Sequence, residues 1–283
     1  MPDPFHALEE VVTRDVTRAL EEDVGAGDLT ARLVPAGRAA RARLLTRQDG
    51  ILCGVEWFRR TFEECDPEVE IFWHHEDGDE VVAGSSLCEV EGAARGMLTA
   101  ERTALNFVQL LSGIATRTQR FVKAVAGTRA RILDTRKTLP GLRMASKYAV
   151  RTGGGHNHRI GLFDGVLIKE NHIVAAGGVT AAVKKALREL DSGTMLQVEV
   201  ETLDQLREAL DAGARLVLLD NFDTGRMREA VALAGDRAEL EASGGVSLDT
   251  VRAIAETGVH RISIGSLTKD VQALDLSLRF MHH

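Results

Sequence analysis

Residues 132–172, ILDTRKTLPGLRMASKYAVRTGGGHNHRIGLFDGVLIKENH, gather the side chains best suited to handling anions. They include Arg136, Lys137, Arg143, Lys147, Arg151, Arg159 and Lys169 against Asp134, Asp164 and Glu170, with His156, His158 and His172 between them. The chain as a whole is acidic, with a formal net charge of -7. A basic island in such a protein concentrates negative ligands locally without making the whole surface cationic. Two apolar runs frame the island, 130–133 and 165–168. Each stops at polar residues, Asp134-Thr135-Arg136-Lys137 and Lys169-Glu170-Asn171-His172. Buried parallel strands read this way when they deliver side chains to a site at their C-terminal ends. Arg136, Lys137, Arg159 and Lys169, which abut strand ends or the glycine run, are therefore read as groups of an anion-handling active site. Arg143, Lys147 and Arg151 recur every four residues and are read as the solvated face of a helix.

The elements that must position these groups follow a strand-then-helix rhythm after residue 126. Strands are expected at 196–200, 215–219, 238–242 and 261–264, separated by helical patterns such as LDQLREAL and LDTVRAIAET. Glu199, Asp220, Ser243 and Gly265 close these strands at intervals of 21 to 23 residues, the period of a βα unit in a barrel or open parallel sheet. The last two loops of such a barrel commonly bind phosphate, and Ser243-Gly244-Gly245 and Gly265-Ser266 fall there. Glycine lets backbone N–H groups approach phosphate oxygens. Glu199 and Asp220 would repel those phosphates unless a divalent cation lay between, and Mg²⁺ suits one or two carboxylates plus substrate phosphates.

Upstream, residues 5–22 carry Phe5, Leu8, Val11, Val12, Val16 and Leu20 at helical spacing. Short strand-like segments at 42–47, 69–73 and 86–90 flank a helix at 55–65. A long helical pattern then runs from Met97 to Ala126, with Thr99 as its expected N-cap. That cap puts Arg102 in the first turn, against the helix dipole. Either an exposed arginine tolerates the position or an anion sits nearby. Residues 78–92 have a faint likeness to a biotinyl or lipoyl carrier, but the first lysine of the chain is Lys123, so no acceptor is in place.

The chain of 283 residues suffices for one large α/β domain or two smaller ones. No apolar run approaches the roughly 20 residues a membrane span needs, and the first residues have no secretory pattern. Cys53, Cys65 and Cys88 fit neither a disulfide framework nor a metal knot and are read as reduced packing residues. A cytoplasmic protein is expected, with no nucleic-acid or membrane partner.

The stretches EDVGAGDLT (22–30), ERTALNFVQLLSGIAT (101–116), DTRKTLPGLR (134–143), GGGHNHRIGLFDGVLIKENH (153–172), LVLLDNF (216–222) and SGGVSL (243–248) cover most of the chain. On them the chain resembles the quinolinate phosphoribosyltransferase family (nicotinate-nucleotide pyrophosphorylase, carboxylating). The resemblance implies an α/β fold with an N-terminal α/β sandwich over 1–115 and an open, incomplete (β/α) barrel over 116–283. The segment 270–283 would pack back on the sandwich. It also implies that Thr135, Arg136, Lys137, His158, Arg159 and Lys169 bind quinolinate and neighbouring phosphate charge. Lys137, Lys169, Glu199 and Asp220 would be catalytic. Glu199 and Asp220 would serve Mg²⁺ and the ribose of phosphoribosyl pyrophosphate, and Ser243, Gly244, Gly245, Gly265 and Ser266 its 5′-phosphate. Arg102 would complete the site of a neighbouring subunit in a homodimer, with a hexamer as a further assembly. Two positions depart from the family pattern: Gln197 stands where an acid is common, and Lys269 where a histidine is common.

Three alternatives stay open at this point. A paralogue of the same architecture, such as the ModD-like proteins of molybdenum utilisation, would act on another substrate. An aldolase-like barrel would use Lys169 as a Schiff base, leaving the arginines, Glu199 and Asp220 unexplained. A non-catalytic anion-binding barrel would need no chemistry at all.

Overall fold

The computed structural model describes residues 5–191 and 193–281. Its first elements are α1 (Leu8–Val24), β1 (Ala39–Thr46), β2 (Gly50–Ile51), α2 (Val55–Cys65), β3 (Glu70–Trp73), β4 (Glu80–Val81), β5 (Ser86–Ala93) and α3 (Ala94–Ala124). There follow β6 (Arg131–Leu133), α4 (Arg143–Thr152), β7 (Gly165–Ile168), α5 (Glu170–Ala176), α6 (Val179–Glu189), β8 (Met195–Val200) and α7 (Leu203–Asp211). The chain ends with β9 (Leu216–Asp220), α8 (Thr224–Ala234), β10 (Glu239–Ser243), α9 (Leu248–Ala255), β11 (Arg261–Ser263), α10 (Ser266–Lys269) and β12 (Leu276–Phe280). Among the described residues no helix is long and apolar enough to cross a membrane.

The chain divides into two units. One takes the residues up to Gln119, then Thr138–Gly154, then those from Thr268 onward. Its antiparallel sheet has the order β12-β1-β5-β3. Strand β1 alternates as a half-buried strand does, sending Ala42, Leu44 and Thr46 inward. Phe58 and Phe62 from α2 and Met97, Ala100, Ala104 and Val108 from α3 pack on Leu44, Leu87, Val90, Leu276 and Leu278. Each large apolar side chain buried there contributes roughly 1.5–3 kcal/mol. A layer of helix on a layer of sheet results. The last strand, β12, lies antiparallel beside β1, with Leu278 level with Leu44. The division differs from a linear boundary at 115/116, because residues 138–154, which carry α4, group with this unit.

Two expectations in this unit are corrected. Helix α3 begins at Ala94, so Thr99 is not its cap and Arg102 lies in the third turn. The Thr99 hydroxyl stands 3.0 Å from both the Arg95 carbonyl oxygen and Asp28 Oδ2, which compete for its one proton. Gly96 has its place inside α3 because a Cβ there would stand 2.8 Å from Asp66 Cβ and 3.0 Å from the Cys65 carbonyl oxygen. Nor is α4 a solvated cationic face: Arg151 is exposed and Arg143 half-buried, but Lys147 is fully buried. Cys53 and Cys88 are buried and Cys65 half-buried, all three as free thiols.

The second unit comprises Arg120–Lys137 and Gly155–Leu267. Its parallel sheet has the order β6-β11-β10-β9-β8-β7, with helices in the connections. The central strands are apolar on both faces, as β9 shows with Leu216, Val217, Leu218 and Leu219 all buried. Strands β6 and β7 stand at opposite edges, so the barrel is open. Because every pairing is parallel, all carboxyl ends meet one edge of the sheet, with Ser243 level with Asp220 and Glu199 level with Leu218.

Candidate active site

Thirteen of the fourteen candidate residues lie in the second unit, at or just beyond the carboxyl ends of its strands; Arg102 lies in the other unit, exposed on α3. After β6 the Lys137 N–H donates to Thr135 Oγ1 at 3.0 Å, which folds the segment tightly and leaves Lys137 exposed. The stem of Lys137 runs over Gly265, where an added Cβ would come within 2.9 Å of Lys137 Cδ. Glycine at the end of β11 thus makes room for a cation from β6.

Arg159 is half-buried, and its Nη1 donates to the Gly165 carbonyl at 2.9 Å. The loop leading into β7 is closed by Asp164, whose carboxylate accepts from Ile160 N (2.7 Å) and Gly161 N (2.9 Å). Burial first, and then the charge of Arg136, presses the Arg159 guanidinium below its ordinary pKa. At the end of β7, Lys169 Nζ pairs with Glu199 Oε2 at 3.1 Å. Lys169 also begins α5, its backbone N–H donating to His172 Nδ1 at 3.0 Å. His172 therefore serves the helix start.

Asp220 ends β9, and its Oδ2 accepts from Asn221 Nδ2 at 3.1 Å. Asn221 is the one described non-glycine residue with positive φ (55°), and its N–H donates to the Ser243 carbonyl at 3.0 Å. At Gly244, with φ 104°, a Cβ would stand 2.1 Å from Asn221 Oδ1. These bonds tie the loop after β9 to the Ser243-Gly244-Gly245 turn. Gly265 is half-buried and Ser266 opens the four-residue helix α10. Lys269, at its end, stands 3.8 Å from Asp270 Oδ1.

His158 is tied into the protein through both ring nitrogens. Its Nδ1 accepts from Arg159 N at 2.8 Å, and its Nε2 stands 2.7 Å from Gln197 Oε1. Gln197 Nε2 donates to Glu241 Oε2 at 3.0 Å, and both residues are fully buried. Asp134, also fully buried, accepts from His158 N (2.9 Å) and Asn157 Nδ2 (2.6 Å). Asp134, Asn157, Glu241 and Asn221 are not among the site residues expected from the sequence. For Asp134, Glu241 and Asn221 the only signal is a polar side chain within or just after a strand, Asn157 lies in the connection between α4 and β7, and Gln197 registers merely as a lost charge. His156 lies elsewhere, its pKa lowered by burial and then by Arg131 and Arg261.

Among the described residues no group of three or more His, Cys, Asp and Glu is arranged to hold a metal ion. Glu199 and Asp220 are nonetheless hard oxygen donors, two carboxylates at neighbouring strand ends. That set fits an ion that arrives with substrate phosphates and keeps water ligands, the habit of Mg²⁺, and does not fit a caged ion.

Fold and site together define a protein of the open α/β-barrel class with cationic side chains gathered at its strand carboxyl ends. The family model "Quinolinate phosphoribosyl transferase, N-terminal domain" matches residues 28–112, and "Quinolinate phosphoribosyl transferase, C-terminal domain" matches 114–279. The chain belongs to the quinolinate phosphoribosyl transferase family. It is 42% identical over 257 residues to a probable nicotinate-nucleotide pyrophosphorylase [carboxylating] of Bacillus subtilis, covering 91% of this chain and 89% of that protein. It is also 42% identical to a mitochondrial quinolinate phosphoribosyltransferase [decarboxylating] of Nicotiana tabacum, over 98% of this chain and 83% of that one. The solved nicotinate-nucleotide pyrophosphorylase of Francisella tularensis superposes with a TM-score of 0.93 at 46% identity, covering 96% of each chain.

Proposed function

We infer that the chain transfers the phosphoribosyl group of phosphoribosyl pyrophosphate to quinolinate with decarboxylation. The products are nicotinate mononucleotide, pyrophosphate and CO₂, and the reaction feeds NAD biosynthesis. The observation that carries this reading is the gathering of Arg136, Lys137, Arg159 and Lys169 at the carboxyl edge of the parallel sheet, beside the strand-end carboxylates Glu199 and Asp220 and the glycine turns at 243–245 and 265; guanidinium forks there suit a dicarboxylate. Lys137 and Lys169 would meet the phosphate charge around the reacting carbon, with Thr135 shaping the turn that presents Lys137. The turn 243–245 and the Gly265-Ser266 pair would receive the 5′-phosphate through backbone N–H groups. Glu199 and Asp220 would face the ribose and hold Mg²⁺ through water or substrate oxygens; the ion would neutralise charge on the departing pyrophosphate.

In the reaction, the bond from ribose C1 to the pyrophosphate oxygen breaks with its electrons on oxygen. The pyridine nitrogen lone pair closes the new bond to C1. The ring nitrogen, now cationic, draws in the electrons of the C2–carboxylate bond as CO₂ leaves, and a proton from solvent takes its place at C2. The arginines hold the acceptor in line and the lysines absorb charge that develops on leaving, so the protein's part is positioning and electrostatics. The Lys169–Glu199 ion pair gives Lys169 a role within this charge pattern. We place the enzyme in the cytoplasm as a homodimer, with Arg102 reaching the partner's site. Initial rates of pyrophosphate release with quinolinate or nicotinate as acceptor test the assignment: quinolinate should be strongly preferred, and equal use of nicotinate would refute it.

A further inference from the structure

The buried chain of polar side chains behind Arg159 has a direction, and its direction can be read from donor and acceptor chemistry alone. Glu241 lies in β10 and Gln197 in β8, strands separated by β9, and both side chains are fully buried. A carboxylate only accepts, so the amide group facing Glu241 Oε2 at 3.0 Å is the Gln197 NH₂. Gln197 therefore turns its carbonyl oxygen to His158 Nε2, 2.7 Å away, and a carbonyl also only accepts. His158 must donate from Nε2. At the other side of the ring the Arg159 N–H can only donate, so Nδ1 accepts at 2.8 Å. The four groups are mutually consistent in one tautomer of His158. Glu241 Oε1, 3.7 Å from His158 Nε2 and without a hydrogen-bond partner, is kept buried beside this chain although it gains no bond there. A buried acceptor left unmatched costs stability.

We propose that Glu241 and Gln197 are positioning residues for acceptor binding: they fix His158 as its Nε2–H tautomer, and through it the backbone and guanidinium of Arg159. The proposal rests on the reading of Arg159 as a quinolinate ligand. His158 N–H is anchored independently on Asp134 Oδ1 and Arg159 Nη1 on the Gly165 carbonyl, while the Arg159 N–H itself is held by the histidine ring through Nδ1. With an acid in place of Gln197, two carboxylates would face each other 3 Å apart and the relay would lose its fixed direction. The amide at this position is what lets a single carboxylate set the tautomer.

The test joins spectroscopy with kinetics. Long-range ¹H–¹⁵N correlation of the histidine rings in the wild-type protein should show His158 protonated on Nε2 and bare on Nδ1, assigned by comparison with His158→Asn. Gln197→Met and Glu241→Met remove the polar links at similar volume; each should raise KM for quinolinate about tenfold or more, leaving kcat and KM for phosphoribosyl pyrophosphate within about threefold. Glu241→Gln, whose carbonyl can still accept from Gln197, should recover most of the loss. An Nδ1–H tautomer in the wild type overturns the proposal whatever the variants do, including any that fail to fold. Arg159→Ala serves as the reference: if it raises KM for quinolinate and the two Met variants do not, the relay is refuted while the function stands. If Arg159→Ala itself leaves KM unchanged, the acceptor reading and the relay both fall.

Discussion

Replacing Arg159 by alanine separates a binding role from a structural one, because the structure bounds both. On the structural side the variant loses one partly buried bond, from Nη1 to the Gly165 carbonyl, worth about 0.5–1.5 kcal/mol net. It also removes the repulsion between Arg159 and Arg136, which works in the opposite direction. Folding stability should therefore change by no more than about 1 kcal/mol. On the binding side it deletes a charge-assisted fork to a carboxylate, about 1.5–3 kcal/mol, or roughly tenfold to a hundredfold in Kd. Arg159→Lys keeps the charge but not the fork, so it should recover only part of the affinity. Calorimetric titration with quinolinate beside urea denaturation gives both numbers on the same samples. A Kd change under threefold, or a stability loss as large as the binding loss, would refute the assignment of Arg159.

Three further outcomes are expected. Mixing an Arg102→Ala protein with a Lys137→Ala protein and allowing subunits to exchange should restore about a quarter of wild-type activity, since about half the dimers are mixed and each has one complete site; parental activity after exchange confirmed by native mass spectrometry would remove Arg102 from the neighbour's site. Tyr148→Phe deletes the 2.8 Å donor to Asp77, a carboxylate whose pKa burial already raises and which also accepts from Gly54 N and Val55 N at the start of α2. A raised carboxyl costs stability as pH climbs through its folded pKa, and loss of the hydroxyl raises it further, so the variant should fall about 1–3 kcal/mol below wild type in urea melts at pH 7 and by less at pH 4; an equal deficit at both pH values would contradict this. Borohydride added during turnover should trap no adduct on Lys169, and mass-spectrometric detection of one would restore the aldolase alternative.

The parallel sheet was legible because its strands are apolar runs that end abruptly in charge: β7 falls on Gly165–Ile168 as read, and β6, β8, β9, β10 and β11 shift by a residue or so. Helix α2 was legible at both ends. The start of α3 was not: the helix begins at Ala94, three residues before Met97, where Gly92 and Gly96 are required by close approach to Asp66. Lys147 misled for a related reason, since periodic spacing on α4 does not say which face meets protein. The strand-end cations and carboxylates carry their chemistry in their residue types. Gln197 and Glu241 do not, because what distinguishes them is a contact between strands 44 residues apart in sequence, and side-chain direction across a sheet is a property of the fold.

The most direct measurement follows the 2-carboxylate of quinolinate. With quinolinate carrying ¹³C at that carboxyl, phosphoribosyl pyrophosphate and Mg²⁺, the label should leave entirely as CO₂, one per pyrophosphate released, and the nicotinate mononucleotide formed should carry none. Label retained in the nucleotide product, or pyrophosphate release that proceeds equally with nicotinate and without CO₂, would contradict the account.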